Sequence, residues 1–269
     1  MIGGKTKLFG LVGHPVAHVR TPQAMNALFE QNGLDAVMVP FDVPPADLSG
    51  ALGGLLRIGN FEGAVVTVPH KMAVLELCRD LTPRARLAGA VNVLRRVGED
   101  AFAGDILDGE GFVAGLTTAG HSVAGRRICI VGAGGAASAI AVALAEREPA
   151  RLTLINRSRE RLLALHERLA SRFGELDVGI GEDVGGHDLV VNATSLGLRA
   201  DDPLPFDPER VGPGVLVAEV IMTPEITPIL HAATGRGAAI HPGRAMLDGQ
   251  LEAIFRYFSA DGRIGRRQA

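Results

Sequence analysis

One lysine stands out among the residues that could carry chemistry. The chain has 27 Lys and Arg residues, and only Lys5, Lys7 and Lys71 are lysines. Arginine keeps its proton near neutral pH, whereas a lysine can release one when its surroundings favour the neutral amine. Lys5 and Lys7 lie near the N-terminus, where solvation explains them. Lys71 follows an apolar run and a proline, so we predict that it transfers protons.

A glycine-rich turn predicts a dinucleotide site. Apolar residues 127–131 run into residues 132–137 (GAGGAA), and an Ala-rich helical pattern follows to about residue 146. Glycines let the backbone turn tightly and approach a pyrophosphate, which binds at the helix N-terminus. The spacing departs from G-x-G-x-x-G, because Ala137 stands at the third glycine position. The predicted phosphate-binding residues are Gly132, Ala133, Gly134, Gly135 and Ala136.

The end of the next strand favours NADP over NAD. NAD-binding units usually place Asp or Glu here to hold the ribose 2′-hydroxyl. This chain instead has Asn156, Arg157 and Ser158, with Arg161 one turn further on. A guanidinium binds a phosphate through paired, charge-assisted hydrogen bonds. We therefore predict that these residues bind the 2′-phosphate of NADP. The alternative for the two arginines is that they are solvated charges at a helix start.

The elements that must position these residues alternate between strand and helix. The predicted strands are 7–12, 36–43, 63–68, 127–131, 151–156, 189–192 and 215–220, with a hairpin-like pair at 91–95 and 101–104. Helical patterns cover 21–29, 48–56, 71–78, 82–87, 108–118, 135–146, a stretch ending near 172, and 249–258. This alternation indicates an α/β protein with a parallel sheet covered by helices on both faces. Thr21 is predicted as the N-cap of the first helix, with Pro22 at its first position.

Loops after strand ends complete the predicted cofactor site. In open α/β sheets, ligands bind in the crevice at the carboxyl ends of the strands. The loop 192–197 (NATSLG) follows such an end, and Thr194 and Ser195 are expected to border the nicotinamide ribose. Val220 and Gly243 complete the set of residues that we predict to contact NADP.

The composition excludes several classes of partner. The formal net charge is −3, and no long run of one sign suggests binding to nucleic acid or to a membrane surface. No apolar run reaches the ~18 residues of a membrane span. The two cysteines, Cys78 and Cys129, fit no metal-ligand spacing, so we expect no metal and read both as small buried residues. We expect a cytoplasmic protein.

Short motifs in a fixed order resemble those of the shikimate dehydrogenase family over nearly the whole chain. They lie at residues 13–18 (GHPVAH), 66–71 (VTVPHK), 89–92 (GAVN), 104–112 (GDILDGEGF), 132–136, 156–158, 192–197, 227–228 (TP) and 243–250 (GRAMLDGQ). The resemblance implies an N-terminal α/β substrate domain and a Rossmann-like NADP domain, with a C-terminal helix returning to the first domain. On this basis the substrate domain comprises residues 1–107 plus 243–269, and the NADP domain comprises residues 108–242.

The resemblance also implies the chemistry. The family's catalytic pair corresponds to Lys71 and Asp108, and the implied reaction is reversible hydride transfer between NADP(H) and the alcohol carbon of a cyclic hydroxy acid. The carbinol oxygen gains or loses a proton as the hydride moves, and a lysine beside a carboxylate can exchange that proton. A purely structural ion pair is the alternative. The implied substrate-binding residues are Arg20, Thr21, Thr67, Asn92 and Gln250.

The substrate positions depart from the family pattern. Val19 replaces one of two serines that hold the substrate carboxylate in the family, and Thr21 replaces the other. Val65 replaces an asparagine of the family, and Met222 replaces a tyrosine. Ile106 and Leu107 replace Asn and Thr. Each hydrogen-bond partner lost from a buried ligand group costs about 1 to 3 kcal/mol. We therefore expect low catalytic efficiency on shikimate, with measurable NADP reduction.

Several interpretations of these departures stay open. Arg20 could pair with the carboxylate in place of the lost serine, the pocket could hold a less polar or differently substituted ring, or the apolar residues could serve core packing. The substrate could accordingly be shikimate, quinate, an aminoshikimate-type compound or another cyclohexane carboxylate. A non-catalytic NADP-binding sensor is a further alternative, against which the retained Lys71 and Asp108 argue. We expect a small-molecule substrate and a monomer or homodimer.

Overall fold

The computed structural model describes residues 2–17, 19–260, 262 and 264–266, and it divides the chain into two compact units. The first unit comprises Met1–Leu107 with Gln250–Ala269, and the second comprises Asp108–Gly249. The C-terminal part of the first unit thus begins later than the expected residue 243. His18, the last residue of the opening motif, lies outside the described residues.

The first unit is built on a mixed six-stranded sheet. Its strands are β1 (Lys7–Gly13), β2 (Ala36–Asp42), β3 (Phe61–Val66), β4 (Cys78–Leu81), β5 (Val93–Val97) and β6 (Ala101–Asp105). They lie in the order β2-β1-β3-β5-β6-β4. The strands β2, β1 and β3 are parallel, β5 is antiparallel to both β3 and β6, and β4 is parallel to β6. The predicted hairpin-like pair is confirmed, although its first strand is Val93–Val97 rather than residues 91–95.

Helices and an aromatic core complete the first unit. The helices are α1 (Thr21–Gln31), α2 (Leu48–Leu56) and α3 (Pro83–Ala88), with short 3₁₀ helices at Pro45–Asp47 and Ala73–Leu77. Phe9 on β1 lies 5.3 Å from Phe29 on α1 and 4.6 Å from Phe258, measured between ring centroids. All three rings are buried. Burial of such rings and their aliphatic neighbours is the main favourable term in stabilising this unit.

The second unit carries a parallel six-stranded sheet. Its strands are β7 (Arg127–Val131), β8 (Arg151–Ile155), β9 (Val178–Ile180), β10 (Leu189–Asn192), β11 (Leu216–Glu219) and β12 (Ala239–His241). The order is β12-β11-β10-β7-β8-β9, so the strand order reverses between β7 and β10. This is the doubly wound dinucleotide-binding order, in which ligands bind at the reversal point. The helices are α4 (Asp108–Thr118), α5 (Gly135–Ala145), α6 (Arg159–Arg172), α7 (Pro228–Gly235) and α8 (Arg244–Ser259), of which α8 ends in the first unit.

The predicted helix 71–78 is wrong. The structure has only the 3₁₀ helix Ala73–Leu77, and the chain then enters β4. The residues of β4 pair with β6, with Cys78 opposite Phe102 and Leu81 opposite Gly104. The carbonyl of Lys71 accepts from the N–H of Val91, and the N–H of Leu75 donates to Met72 rather than to Lys71. A long-range hydrogen bond thus takes the place of the first bond of the predicted helix.

The start of α1 also differs from the prediction. Thr21 is the first helical residue, and Arg20 occupies the N-cap position without capping through its side chain. The predicted role of Thr21 as N-cap is therefore wrong, and Pro22 is the second helical residue rather than the first, still within the first turn. The terminal helix begins earlier than predicted, at Arg244 rather than at residue 249. The short strands β9 and β12 were not predicted, because three-residue strands carry almost no periodicity. The helix α7 was not predicted either.

Three further features bear on the chemistry. Both cysteines are free thiols; Cys129 is buried and Cys78 is partly buried, and burial raises the pKa of each to about 12. Among the described residues, no helix is long and apolar enough to cross a membrane. The same part of the chain contains no group of three or more His, Cys, Asp and Glu side chains arranged to hold a metal ion.

Candidate active site

The backbone around Lys71 is fixed by hydrogen bonds on both sides. The N–H of Thr67 donates to the carbonyl of Val12 at 2.9 Å, and the carbonyl of Lys71 accepts from the N–H of Val91 at 2.7 Å. The buried ring of His70 donates from Nε2 to the carbonyl of Val43 at 2.7 Å, since a carbonyl can only accept. Lys71 itself is partly buried. Its position therefore depends on tertiary contacts rather than on a helix.

Two of the predicted substrate-binding residues lie against each other. Asn92 and Gln250 are both buried, and Asn92 Nδ2 donates to Gln250 Oε1 at 3.3 Å. Asn92 Oδ1 accepts from the N–H of Leu107 at 2.8 Å. Asn92 thus connects the C-terminal segment to the end of the β6 loop. Thr67 is partly buried at the end of β3, and Thr21 is buried at the start of α1.

The apolar residues at polar family positions belong to the hydrophobic core of the first unit. Val65 and Leu107 are members of the buried cluster around Phe9, and Val19 packs against it. Ile106 is buried as well. Arg20, by contrast, is exposed at the N-cap of α1. The core-packing interpretation therefore accounts for Val19, Val65 and Leu107.

An ion-pair network holds the end of β6. The carboxylate of Asp105 accepts hydrogen bonds from Thr82 Oγ1 at 2.5 Å, from Arg84 Nε at 2.7 Å and from the N–H of Ile106 at 2.7 Å. A second bond from Arg84 makes the pair bidentate. Such pairs add geometric restraint as well as energy. Sequence reasoning did not assign a role to Asp105, although the residue lies within the motif at 104–112.

Asp108 begins the second unit. It is the first residue of α4 and is almost fully buried, with 1% of its surface exposed. The start of α4 therefore fixes the position of Asp108 in the chain.

The glycine turn offers an anion site at the start of α5. Gly132 has φ +128°, and a Cβ built there would lie 2.7 Å from the carbonyl oxygen of Ala193, so only glycine fits. A Cβ on Gly134 would meet no described atom within 4 Å. No described side chain caps α5, whose N-cap is Gly134. The first N–H groups of α5 and the open space before them fit a pyrophosphate.

The β8–α6 turn lies beside the glycine turn. The N–H of Gly132 donates to the carbonyl of Ile155 at 2.8 Å, which joins the two turns. Asn156 Nδ2 donates to the carbonyl of Ser158 at 2.9 Å, and Ser158 caps α6. Arg157 and Arg161 are exposed at this end of α6. Two exposed guanidinium groups and no acid at position 156 fit a 2′-phosphate.

A buried carboxylate that sequence reasoning missed organises the other predicted cofactor loops. Glu219 ends β11, is fully buried, and binds both the side chain of Asn192 and the backbone N–H of Val220. Burial raises the pKa of the Glu219 carboxyl, while its hydrogen bonds act in the opposite direction. The sequence signal for Glu219 was an acidic residue directly after the apolar run 215–218 of a predicted strand. Gly243 lies against the backbone of Val220 and Ile221.

Two family models match the chain. A model described as the shikimate dehydrogenase substrate binding domain matches residues 11–94, and one described as shikimate / quinate 5-dehydrogenase matches residues 116–197. A protein named shikimate dehydrogenase (NADP(+)), from Rubrobacter xylanophilus, is 44% identical over 251 residues, which are 91% of this chain and 88% of that protein. The chain belongs to the shikimate dehydrogenase family. The predicted family is therefore confirmed.

Solved structures of the shikimate dehydrogenase family have the same fold. A shikimate dehydrogenase in complex with NADP+ is 31% identical, with a TM-score of 0.86 over 97% of this chain and 92% of that one. A ligand-free 5-ketofructose reductase of Gluconobacter sp. strain CHM43 is also 31% identical, with a TM-score of 0.81 over 96% and 94% of the two chains. The predicted α/β fold class with a Rossmann-like unit is confirmed.

Proposed function

We propose that this chain is an NADP-dependent oxidoreductase that interconverts shikimate, or a related cyclic hydroxy acid, and its 3-dehydro ketone. The observation that carries the proposal is the fixed backbone of residues 67–71, which presents a partly buried Lys71 at the end of a strand. The chain belongs to a family whose Rubrobacter xylanophilus member is named shikimate dehydrogenase (NADP(+)), and a solved member was crystallised with NADP+.

In this proposal Lys71 and Asp108 handle the proton. Oxidation of an alcohol removes a hydride from carbon and a proton from oxygen, and a lysine amine can take that proton when it is held in place. Asp108 contributes a carboxylate that balances the charge of the protonated lysine. Thr67, Asn92 and Gln250 would orient the substrate through its hydroxyl groups, and Thr21 would add a further hydroxyl. Arg20 is the candidate cation for a substrate carboxylate.

NADP(H) would supply or accept the hydride when bound. The glycine turn and the start of α5, residues 132–136, would hold the pyrophosphate. Arg157 and Arg161 would hold the 2′-phosphate beside Asn156 and Ser158. Thr194, Ser195, Val220 and Gly243 would border the nicotinamide half. The open anion site at Gly134 and the exposed guanidinium groups support this assignment.

Replacing Lys71 tests the proposed chemistry. We expect Lys71→Ala to lower kcat for NADP-dependent shikimate oxidation by about 10²- to 10⁴-fold, the usual contribution of a positioned acid–base group. The dissociation constant for NADPH, measured by fluorescence titration, should stay within about twofold, because Lys71 belongs to a different unit from the glycine turn. Lys5→Ala, at an exposed lysine, is the matched control. Full turnover in Lys71→Ala would refute the proposed role.

A second candidate substrate class is a neutral polyhydroxy ketone. Two side chains at family carboxylate and polar positions, Val19 and Val65, contribute no hydrogen bond and join the hydrophobic cluster instead. A buried carboxylate is costly unless it is paired or well hydrogen-bonded. One structural neighbour, at 31% identity and a TM-score of 0.81, is named 5-ketofructose reductase. A neutral polyhydroxy ketone is therefore a second candidate substrate beside the cyclic hydroxy acid.

A substrate carboxylate and its neutral methyl ester separate the two candidates. We would compare shikimate with methyl shikimate as alcohols, and follow NADPH oxidation with 5-ketofructose. If the neutral class is correct, kcat/KM for methyl shikimate should equal or exceed that for shikimate, and Val19→Ser should shift the preference toward shikimate by about tenfold. Val16→Ser, in the same loop, is the control. A wild-type preference for shikimate, with Arg20→Ala raising its KM, would support the cyclic acid and a carboxylate contact at Arg20.

We also propose that the protein works in the cytoplasm as a monomer or homodimer. Its two free thiols suit a reducing compartment. Sedimentation velocity would distinguish the two oligomeric states.

A further inference from the structure

The carboxylate of Glu219 is saturated with hydrogen bonds. Its Oε1 accepts from the N–H groups of Val220 at 2.8 Å and Ile221 at 3.1 Å, and its Oε2 accepts from Asn192 Nδ2 and Thr227 Oγ1, both at 2.9 Å. The side chain has no exposed surface. A carboxylate accepts through both of its oxygens, and these four donors occupy both of them.

This carboxylate joins the carboxyl ends of two neighbouring strands. Asn192 and Glu219 are opposite each other in the parallel register of β10 and β11. Asn192 lies on the strand next to the reversal point of the sheet, where ligands bind in doubly wound folds. Thr227 directly precedes α7. Glu219 therefore connects the ends of β10 and β11 with the start of a helix.

The bond to Asn192 extends into the loop 192–197. Asn192 Nδ2 also donates to the carbonyl of Leu196 at 3.1 Å, and its Oδ1 accepts from Thr194 Oγ1 at 2.7 Å. Thr194 Oγ1 in turn accepts from the N–H of Leu196 at 3.0 Å. Because Ala193 lies directly behind Gly132, this loop abuts the glycine turn. Loss of the charge on Glu219 would weaken its bond to Asn192, whose side chain holds this loop by hydrogen bonds to Thr194 and Leu196.

We infer that Glu219 is a positioning residue that sets loop 192–197 and residues 220–221 for the nicotinamide half of NADP. The inference rests on the proposed NADP site. It distinguishes the two halves of the cofactor, because the glycine turn and the two arginines of the β8–α6 turn make no contact with Glu219 among its hydrogen bonds. Substitution of Glu219 should therefore weaken binding of the nicotinamide half alone.

Calorimetric titration with NADPH and with 2′,5′-ADP tests the inference, since 2′,5′-ADP lacks the nicotinamide half. In Glu219→Gln an NH₂ group replaces one carboxylate oxygen. This donor would then face the donors from which that oxygen accepts in the wild-type protein. We expect its dissociation constant for NADPH to rise at least about tenfold and that for 2′,5′-ADP to stay within about twofold. Glu219→Asp, which keeps the charge, should recover part of the NADPH affinity. Glu175→Gln, at an exposed residue of the same unit, is the control.

Three outcomes would overturn the inference. These are equal weakening of both ligands, unchanged NADPH binding in Glu219→Gln, and no recovery in Glu219→Asp. If Glu219→Gln does not fold, Thr227→Val removes one donor and leaves the charge of Glu219 in place. This variant should weaken the binding of NADPH but not that of 2′,5′-ADP. Equal weakening of both ligands, or no weakening of either, would overturn the inference. Wild-type protein that binds neither ligand would instead refute the proposed NADP site itself.

Discussion

Lys71 owes its place to contacts of its neighbours. The ring of His70 is anchored to the carbonyl of Val43, and the carbonyl of Lys71 accepts from Val91. The reactive side chain is thus attached to a backbone that is held from two directions. Asp105 and Glu219 show the same arrangement, because each is a buried carboxylate whose bonds fix a loop. These buried polar side chains therefore fix the backbone of the loops that form the predicted site.

The two exposed arginines of the β8–α6 turn should set cofactor preference. We expect the double change Arg157→Ala and Arg161→Ala to raise the dissociation constant for NADP about 10- to 100-fold, because hydrogen bonds to charged groups contribute about 1.5 to 3 kcal/mol. Binding of NAD should change little, since NAD has no 2′-phosphate. Titration with both nucleotides measures this, with Arg172→Ala in the last turn of α6 as control. Equal weakening of NADP and NAD would contradict the assignment.

At the scale of elements, close helix contact shapes the second unit. Gly109 in the first turn of α4 faces α5, and a Cβ built there would lie 2.2 Å from the carbonyl oxygen of Ala139. The helices can approach each other only because this position has no side chain. Asp108, the neighbouring residue, is therefore placed by the packing of α4 on α5. A role for the glycine that follows Asp108 was not apparent from the sequence.

Two glycine-to-alanine changes should have opposite effects on stability. The methyl group of Gly109→Ala would overlap the backbone of α5 at Ala139. We therefore expect the free energy of unfolding to fall by about 1 to 3 kcal/mol. Gly53→Ala in the exposed part of α2 meets no described atom within 4 Å. It should raise the free energy of unfolding by about 0.5 to 1 kcal/mol through helix propensity. Urea unfolding of both variants measures this, and a destabilised Gly53→Ala with a neutral Gly109→Ala would contradict the packing account.

At the scale of the whole molecule, stability should depend on one buried histidine. His241 at the end of β12 is buried, and its Nε2 has no partner among the described residues. Its ring lies 6.0 Å from that of His121, between centroids. Burial, and to a smaller extent the neighbouring His121, lowers the pKa of His241 below its ordinary 6.5. The folded protein therefore resists taking up a proton that the unfolded chain accepts.

Acid should destabilise the protein through this residue. The pKa of His241 is lowered in the folded protein, so its contribution to the free energy of unfolding is constant well above pH 6.5. This contribution declines as the pH falls below that value, by up to about 1 kcal/mol near pH 5.5. His241→Phe cannot titrate and should show a smaller decline. Thermal unfolding of both proteins between about pH 7.5 and 5.5 measures the difference, which cancels the contributions of the carboxyl groups. Parallel declines would contradict the assignment.

The sequence alone determined the family, the fold class and most strands and helices of this protein. Glycine turns, strand ends and the Asn156–Ser158 turn are local features, and their chemistry is legible in a few consecutive residues. The tertiary structure decided what depends on distant partners. Residues 71–78 did not form the predicted helix, because Lys71 bonds to Val91 and Cys78 pairs with β6. Val65 and Leu107 joined the core because Phe9 and Phe29 lie beside them, and Glu219 found donors from three separate segments. Such contacts join residues far apart along the chain, so periodicity and spacing could not reveal them.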